Sequence, residues 1–296
     1  MTRVLQGSVY ALPESGFSTV YSKLHTAPNF QPMHRVLRNH PHEVLRFIHI
    51  TDTHLLSRAD ETFYGLNTKS SLQVVLSDCA ACYPEIDFWL FTGDISQTGT
   101  KESYALFSSA IQQYDIPVYC VPGNHDTPEF LRHVVPDSPV NSVNIIQFGR
   151  FSMVLLDSWI ENEHHGRISR SCLRQLEEYL QDSDQFNIIV LHHPPVEVNS
   201  QWLDEIGLDN RTEFLQVLGK CNAEMLVLFG HVHQEVDRQS DKLRMLSTPS
   251  TCHQFKPHTR SHHTDSLPPA YRFVKLGRSE HIDTRVHYVS QAHHQK

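Results

Sequence analysis

The chain has no apolar run approaching the roughly 18 residues that a membrane-spanning helix needs, and it has no internal repeat. Glycine is scarce, 12 in 296 residues, and no glycine-rich linker divides the chain. Positive charge is the minority sign: 25 Lys and Arg stand against 33 Asp and Glu, a formal balance of −8. A chain of that sign is not built to track a nucleic-acid backbone. It also lacks a basic stripe interleaved with aromatics, which argues against a nuclease. Met1-Thr2-Arg3-Val4 leads into no charged region followed by an apolar one. No secretory signal is therefore read, and a cytoplasmic location is expected. The six cysteines (Cys79, Cys82, Cys120, Cys172, Cys221 and Cys252) make no staple pattern, so reduced thiols are expected. Cys79 and Cys82 form C-x-x-C on a helical pattern with no second pair, and core packing is expected of them.

Apolar residues make up 39% and charged residues 20%, enough for a large core and incompatible with a disordered chain. Histidine is abundant: 22 residues, more than glycine. With an ordinary pKa near 6.5, about a quarter of free histidines are charged at pH 7, which makes the balance less negative than its formal value. Histidine is also a common metal ligand.

Residues 1–43 lack clear periodicity and contain Pro28, Pro32 and Pro41. They read as an irregular N-terminal extension with a short strand around Val4–Tyr10. Residues 44–290 read as one domain, and 291–296 as a polar, frayed tail. Within the domain, Arg46–Thr51, Ile86–Thr92, Ile116–Val121, Asn187–Leu191 and Glu224–Phe229 are short apolar runs of buried-strand type. Leu72, Val75, Leu76, Cys79 and Tyr83 follow helical spacing. So do Leu173, Leu176 and Leu180, with Ser169 as N-cap. Asn144–Phe148 and Phe151–Leu156 flank Gly149-Arg150 as a hairpin. After residue 235 the pattern predicts strands only: Leu243–Leu246, Tyr271–Leu276 and Ile282–Val289. The alternation predicts an α/β fold with an antiparallel addition.

Each buried strand runs into a polar cluster: Asp52-Thr53-His54, Gly93-Asp94, Gly123-Asn124-His125-Asp126, His192-His193 and Gly230-His231-Val232-His233. Strand C-terminal ends are where open α/β sheets place their sites. In extended backbone, residues i and i+2 share a face, so Asp52 with His54 and His231 with His233 are expected to converge. Asp, Asn and His without thiolate suit zinc, iron or manganese. A single Asp or Asn after a strand is ordinary turn chemistry, and a single His an ordinary hydrogen-bonded side chain. Five such clusters in succession are hard to explain as turns.

The order D-x-H, G-D, G-N-H-D, H, G-H-x-H resembles the calcineurin-like metallophosphoesterases. Tyr64-Gly65-Leu66-Asn67-Thr68 and Thr92-Gly93-Asp94, with the segment Thr248–Pro257, are similar to their class III cyclic-nucleotide branch and its bacterial 3′,5′-cyclic-AMP phosphodiesterases. The likeness covers roughly residues 44–276. It implies a four-layer α-β-β-α sandwich with two mixed sheets. It also implies two divalent ions per chain, iron(II) or manganese(II) ahead of zinc. Asp52, His54 and His233 would hold one ion, and Asn124, His192 and His231 the other, with Asp94 shared. His193 would be a packing neighbour of the site.

The implied reaction is hydrolysis of cyclic AMP to 5′-AMP by a bridging hydroxide, with His125 as general acid and Asp126 either orienting it or capping the next turn. The implied substrate contacts are His54, Asp94, Asn124, His125 and His233. Candidates for base and sugar recognition are Phe63, Tyr64, Asn67, Gln97 and the loop His253–Pro257. His258, His262, His263 and the histidines beyond read as surface residues. The only partner expected is a small cyclic nucleotide, with no nucleic acid and no membrane. Two alternatives stand beside this: a broader phosphodiesterase acting on glycerophosphodiesters or other phosphate esters, and a non-catalytic scaffold with the same fold. The intact ligand set and His125 argue against the scaffold.

Overall fold

A computed structural model describes residues 34–38, 43–277 and 281–290; the expected strand at Val4–Tyr10 and the tail 291–296 lie outside them. In chain order the first elements are β1 (His34–Arg38), β2 (Leu45–Ile50), α1 (Thr68–Cys82), β3 (Phe88–Phe91), α2 (Lys101–Ile111), β4 (Val118–Cys120) and α3 (Pro128–Val134). The middle of the chain forms β5 (Val143–Phe148), β6 (Phe151–Leu156), α4 (Arg170–Asp182), β7 (Phe186–Val190), α5 (Gln201–Asp204), α6 (Arg211–Gly219) and β8 (Met225–Phe229). Strands alone follow: β9 (Val236–Ser240), β10 (Leu243–Ser247), β11 (Gln254–Phe255), β12 (Thr264–Asp265), β13 (Ala270–Leu276) and β14 (Ile282–Tyr288).

The strands assemble into a large sheet, β1-β5-β6-β7-β8-β10-β9, and a smaller one, β14-β13-β2-β3-β4; β11 and β12 pair separately. Both main sheets are mixed. In the smaller sheet β2, β3 and β4 run parallel and β13 is antiparallel to β2. In the larger sheet β6, β7 and β8 run parallel, and β5 and β6 form the expected hairpin.

Alternation along each strand sends neighbouring side chains to opposite faces. Phe47, Phe88 and Leu90 of the smaller sheet thus meet Ile146, Ile188 and Leu226 of the larger one in a core between the sheets. The next residues along, Ile145, Ile189 and Val227, turn outward under α4 and α6. Ile48, Trp89 and Phe91 turn outward under α1, α2 and α3. The result is the four-layer α-β-β-α sandwich. α1, α2 and α4 begin on side-chain caps: Asn67, Thr100 and Ser169 accept from the backbone N–H groups of Ser70, Ser103 and Cys172. Cys79 lies buried in the α1 core as expected, whereas Cys82 is exposed, so core packing holds for the first of the two alone.

One segment departs from the sequence reading. His34–Arg38, inside the stretch expected to be irregular, pairs in parallel with β5 as an edge strand. It was missed because one short run among prolines carries too little pattern. Among the described residues no helix is long and apolar enough to cross a membrane.

Candidate active site

The parallel strands β2, β3, β4, β7 and β8 deliver the five polar clusters to one end of the sandwich. The backbone there is not extended. Asp52 (φ 54°), His54 (φ 45°), Asp94 (φ 49°), His231 (φ 70°) and His233 (φ 49°) all occupy the left-handed region. The two i, i+2 pairs do converge, but through left-handed turns rather than the extended strand geometry expected. For residues with a Cβ this conformation costs of order 1–3 kcal/mol each and persists only when the surroundings impose it. They do: Asp52 and His54 donate their N–H groups to the carbonyls of Gly93 and Asp94 at 3.1 and 2.9 Å. The N–H of His231 donates to Asp52 Oδ2 at 3.0 Å. Gly93 (φ +96°) could carry no side chain, because a Cβ would fall 2.4 Å from His192 Nδ1.

The side chains form two donor groups that meet at Asp94. In the first, His54 Nε2 lies 3.1 Å from His233 Nε2. His233 Nε2 is 3.4 Å from Asp52 Oδ1, and His54 Nε2 is 3.8 Å from Asp94 Oδ2. In the second, Asn124 Oδ1 lies 2.9 Å from His231 Nδ1 and 3.2 Å from His192 Nε2. His192 Nε2 is 3.5 Å from the same Asp94 Oδ2. The other oxygen of Asp94, Oδ1, accepts the backbone N–H of His125 at 2.9 Å.

The donors fit cations. His192 gives its Nδ1–H to the Thr92 carbonyl and His233 gives its own to the His253 carbonyl, both at 2.6 Å. Each therefore aims a bare Nε2 lone pair into the centre. His54 Nδ1 and His231 Nε2 are buried and have no hydrogen-bond partner among the described residues. Seven oxygen and nitrogen donors, six of them on fully or nearly fully buried Asp and His side chains, crowd together with few protons to share. Divalent ions resolve this, and the acceptor chemistry is that of borderline metals.

Electrostatics agree. Burial lowers His54 and His231 to about 3, which keeps them neutral and able to ligate. Burial works against the charged form of His192 as well, but Asp94 in contact with it prevails and lifts it to about 9 in the ion-free centre, so a cation would have to take the place of its Nε2 proton. Burial alone would raise Asp52, yet His233 beside it draws the carboxyl down to about 2.

Residues 45–235 match the family model for calcineurin-like phosphoesterases. The chain belongs to that family. It is 33% identical over 251 residues to the 3′,5′-cyclic adenosine monophosphate phosphodiesterase CpdA of Haemophilus influenzae, covering 84% of this chain and 92% of that one. The corresponding protein of Escherichia coli K12 is 33% identical over 253 residues, 85% of this chain and 92% of that one. Among solved structures, a dimetal phosphatase from Danio rerio superposes with a TM-score of 0.58 at 18% identity, covering 83% of this chain and 99% of that one. A purple acid phosphatase from yellow lupin gives 0.59 at 13% identity, covering 84% of this chain and 52% of that one. At those identities the structural likeness speaks for the fold.

In this phosphoesterase His125 stands beside the donors, its ring 5.2 Å from that of His54. Its Nδ1 lies 3.0 Å from the Gln97 carbonyl oxygen. Asp126 does not orient it. The Asp126 carboxylate accepts from the backbone N–H groups of Gly123, Ile95 and Ser96 and from the Tyr104 hydroxyl, so it does not cap the turn that follows either; it ties the preceding turn to a neighbouring loop. His193 is buried, and its Nδ1 meets Ser158 Oγ at 2.8 Å. Its ring lies 4.9 Å from those of His192 and His231, the neighbour's place expected of it.

Around the mouth runs an aromatic wall. Phe63 lies 5.7 Å from His54, and Phe255 stacks on His233 at 4.0 Å. Tyr64, held at φ 47° and 65% exposed, sits 4.8 Å from His253 and 5.9 Å from His262. One sequence expectation changes here. Asn67 caps α1 and gives its Nδ2 protons to the carbonyls of Ala59 and Glu61, so its amide is spent on the loop. His262 is exposed, as expected, and its ring also joins the wall with Tyr64, Trp202 and Phe255. Nothing in its local sequence signals this, because β11 and β12 bring it there by pairing.

Proposed function

We propose that this phosphoesterase hydrolyses 3′,5′-cyclic AMP to 5′-AMP. The reading is carried by the two donor groups that share Asp94, with one more histidine, His125, within reach of Asp94 and His54. Relatives at 33% identity that bear the name cyclic-AMP phosphodiesterase supply the substrate class. Asp52, His54 and His233 would hold one divalent ion, and Asn124, His192 and His231 the other, with Asp94 serving both. Iron(II) or manganese(II) suits such a set. When bound, the pair supplies Lewis acidity toward the phosphoryl oxygens and a hydroxide at neutral pH.

The chain's own residues do the rest. The ionised Asp94 and Asp52 and the histidines set where the cations would sit, and phosphate oxygens would gather on that positive charge, so the substrate's charged end lies against His54, Asp94, Asn124, His125 and His233. His125 gives a proton to the departing ribose 3′ oxygen. With Nδ1–H held by the Gln97 carbonyl, Nε2 is the ring atom turned to the substrate, and its proton is the one to be given. A positioned acid of this kind contributes typically 10²–10⁴-fold. The base packs along the Tyr64 wall, where a purine finds flat partners.

One observation favours a range wider than adenine alone. With the Asn67 amide spent on its cap, the wall offers stacking surface but little hydrogen bonding to a base edge, so cyclic GMP is a plausible second substrate. A panel of cyclic AMP, cyclic GMP, a glycerophosphodiester and bis(nitrophenyl) phosphate, with metal content measured on the same sample, tests the reading. Highest kcat/KM on the cyclic nucleotides supports it. Preference for the glycerophosphodiester replaces it with the broader phosphodiesterase.

A further inference from the structure

Behind Asp52 lies a line of buried polar groups that a cation site does not itself require. Thr248, His49, Thr92, Thr51 and Asp52 are all completely buried, and each is in hydrogen-bond contact with the next. The distances are 2.7 Å from Thr248 Oγ1 to His49 Nδ1, 2.8 Å from His49 Nε2 to Thr92 Oγ1, 2.8 Å from Thr92 Oγ1 to Thr51 Oγ1 and 2.7 Å from Thr51 Oγ1 to Asp52 Oδ2.

The protons along this line can be assigned from its end. A carboxylate only accepts, so Thr51 must donate to Asp52 Oδ2. The alternative acceptor for that proton, the Thr92 carbonyl, is 3.4 Å away and uncharged. Thr51 Oγ1 then accepts from Thr92, and Thr92 Oγ1 accepts from His49 Nε2–H. Burial and the nearby Arg272 hold His49 down at about 3, so its ring carries one proton, and Nδ1 accepts from Thr248. Every donor points the same way, toward Asp52, which is the arrangement in which successive bonds polarise one another.

The line also touches the second donor group. The main-chain carbonyl of Thr92 holds His192 Nδ1 at 2.6 Å while its hydroxyl serves the relay. Gly230 makes room for it: a Cβ there would stand 2.2 Å from Thr51 Oγ1 and 3.0 Å from Asp52 Oδ2.

We infer that the Thr248–His49–Thr92–Thr51 relay is a positioning device that engages Asp52 Oδ2 and so presents Oδ1 to the cation shared with His54 and His233, with Thr92 joining the two halves of the centre. The inference rests on the metal reading of the site. Outer partners of this kind are worth about 10–100-fold in metal affinity.

The test is stepwise manganese(II) titration of the metal-free full-length protein, with free ion counted by electron paramagnetic resonance. Thr51→Val keeps the shape and removes the last hydroxyl; Thr92→Val keeps the carbonyl on His192 and removes only the relay hydroxyl. Each should weaken one of the two binding steps by about 10–100-fold and leave the other within threefold. Thr51→Ser and Thr92→Ser should restore the lost step. In an Asp52→Ala background, Thr51→Val should have no further effect on metal affinity, because the relay acts through that carboxylate. Equal weakening of both steps, additive loss with Asp52→Ala, or unchanged affinity in the valine variants overturns the relay. Wild-type protein that binds no divalent ion overturns the metal reading itself.

Discussion

Replacing His125 with alanine separates ion binding from chemistry more cleanly than any other single change. The backbone N–H of residue 125 holds Asp94 Oδ1 at 2.9 Å, and that bond survives the substitution. Asp94 therefore keeps its aim, and both ions should remain. What is lost is the side chain whose Nδ1 lies 3.0 Å from the Gln97 carbonyl. One neutral hydrogen bond at a half-buried site is worth about 1 kcal/mol, so the variant should fold. Turnover of cyclic AMP should fall by roughly 10²–10⁴-fold, about 3–5 kcal/mol of transition-state stabilisation at 1.36 kcal/mol per tenfold. The loss arises because an alkoxide leaves poorly without a proton. Bis(nitrophenyl) phosphate, whose leaving group is far more acidic, should lose less than tenfold. Steady-state kinetics on both substrates, with metal content by elemental analysis, reads all three quantities. Equal losses on both substrates would refute the general-acid role, and loss of an ion would make His125 a ligand.

Asp94→Ala removes the one carboxylate common to both donor groups, so bound metal and activity should disappear together in elemental analysis and assay. Tyr64→Ala should raise KM for cyclic AMP by about tenfold, in line with roughly 1–3 kcal/mol per stacked base, and leave bis(nitrophenyl) phosphate turnover unchanged; equal effects on the two would remove Tyr64 from base binding. Asp126→Ala strips the acceptor from three backbone N–H groups and a tyrosine hydroxyl, so thermal melting should show a loss of about 2–5 kcal/mol. Its leaving-group dependence should stay that of wild type, whereas an orienting role would alter it. Chelation should destabilise the protein by about 2.7 kcal/mol when the ion had been present at a hundred times its Kd, seen as a lowered melting temperature that added manganese(II) reverses.

Much of this molecule could be read from its sequence because its signals are local. β3 and β8 are continuous apolar runs, β2 and β7 are broken only by Arg46, His49 and Asn187, and each leads within three residues to a ligand-type residue. The strand pattern located the polar clusters, and the resemblance to the family singled out Asp52, His54, Asp94, Asn124, His192, His231 and His233 within them. Features set by tertiary contact were not legible. The left-handed backbone at five donors goes with tertiary contacts, such as the bonds of Asp52 and His54 to the Gly93 and Asp94 carbonyls, and local spacing has no term for those. Asp126 follows His125 directly, yet its carboxylate turns back to Gly123, Ile95 and Ser96. His262 reaches the aromatic wall through pairing of β11 with β12. The relay through His49 joins residues up to 199 apart in the chain, each ordinary in its own neighbourhood.

Hydrolysis of cyclic AMP by the manganese(II)-loaded protein in ¹⁸O-labelled water tests the central claim most directly. If the two donor groups direct a solvent-derived nucleophile to phosphorus and His125 protonates the 3′ oxygen, the product is 5′-AMP with one solvent oxygen on its phosphate. Chromatography and mass spectrometry resolve both features. Predominant 3′-AMP, label on the ribose, or no turnover in protein that carries both ions would contradict the account.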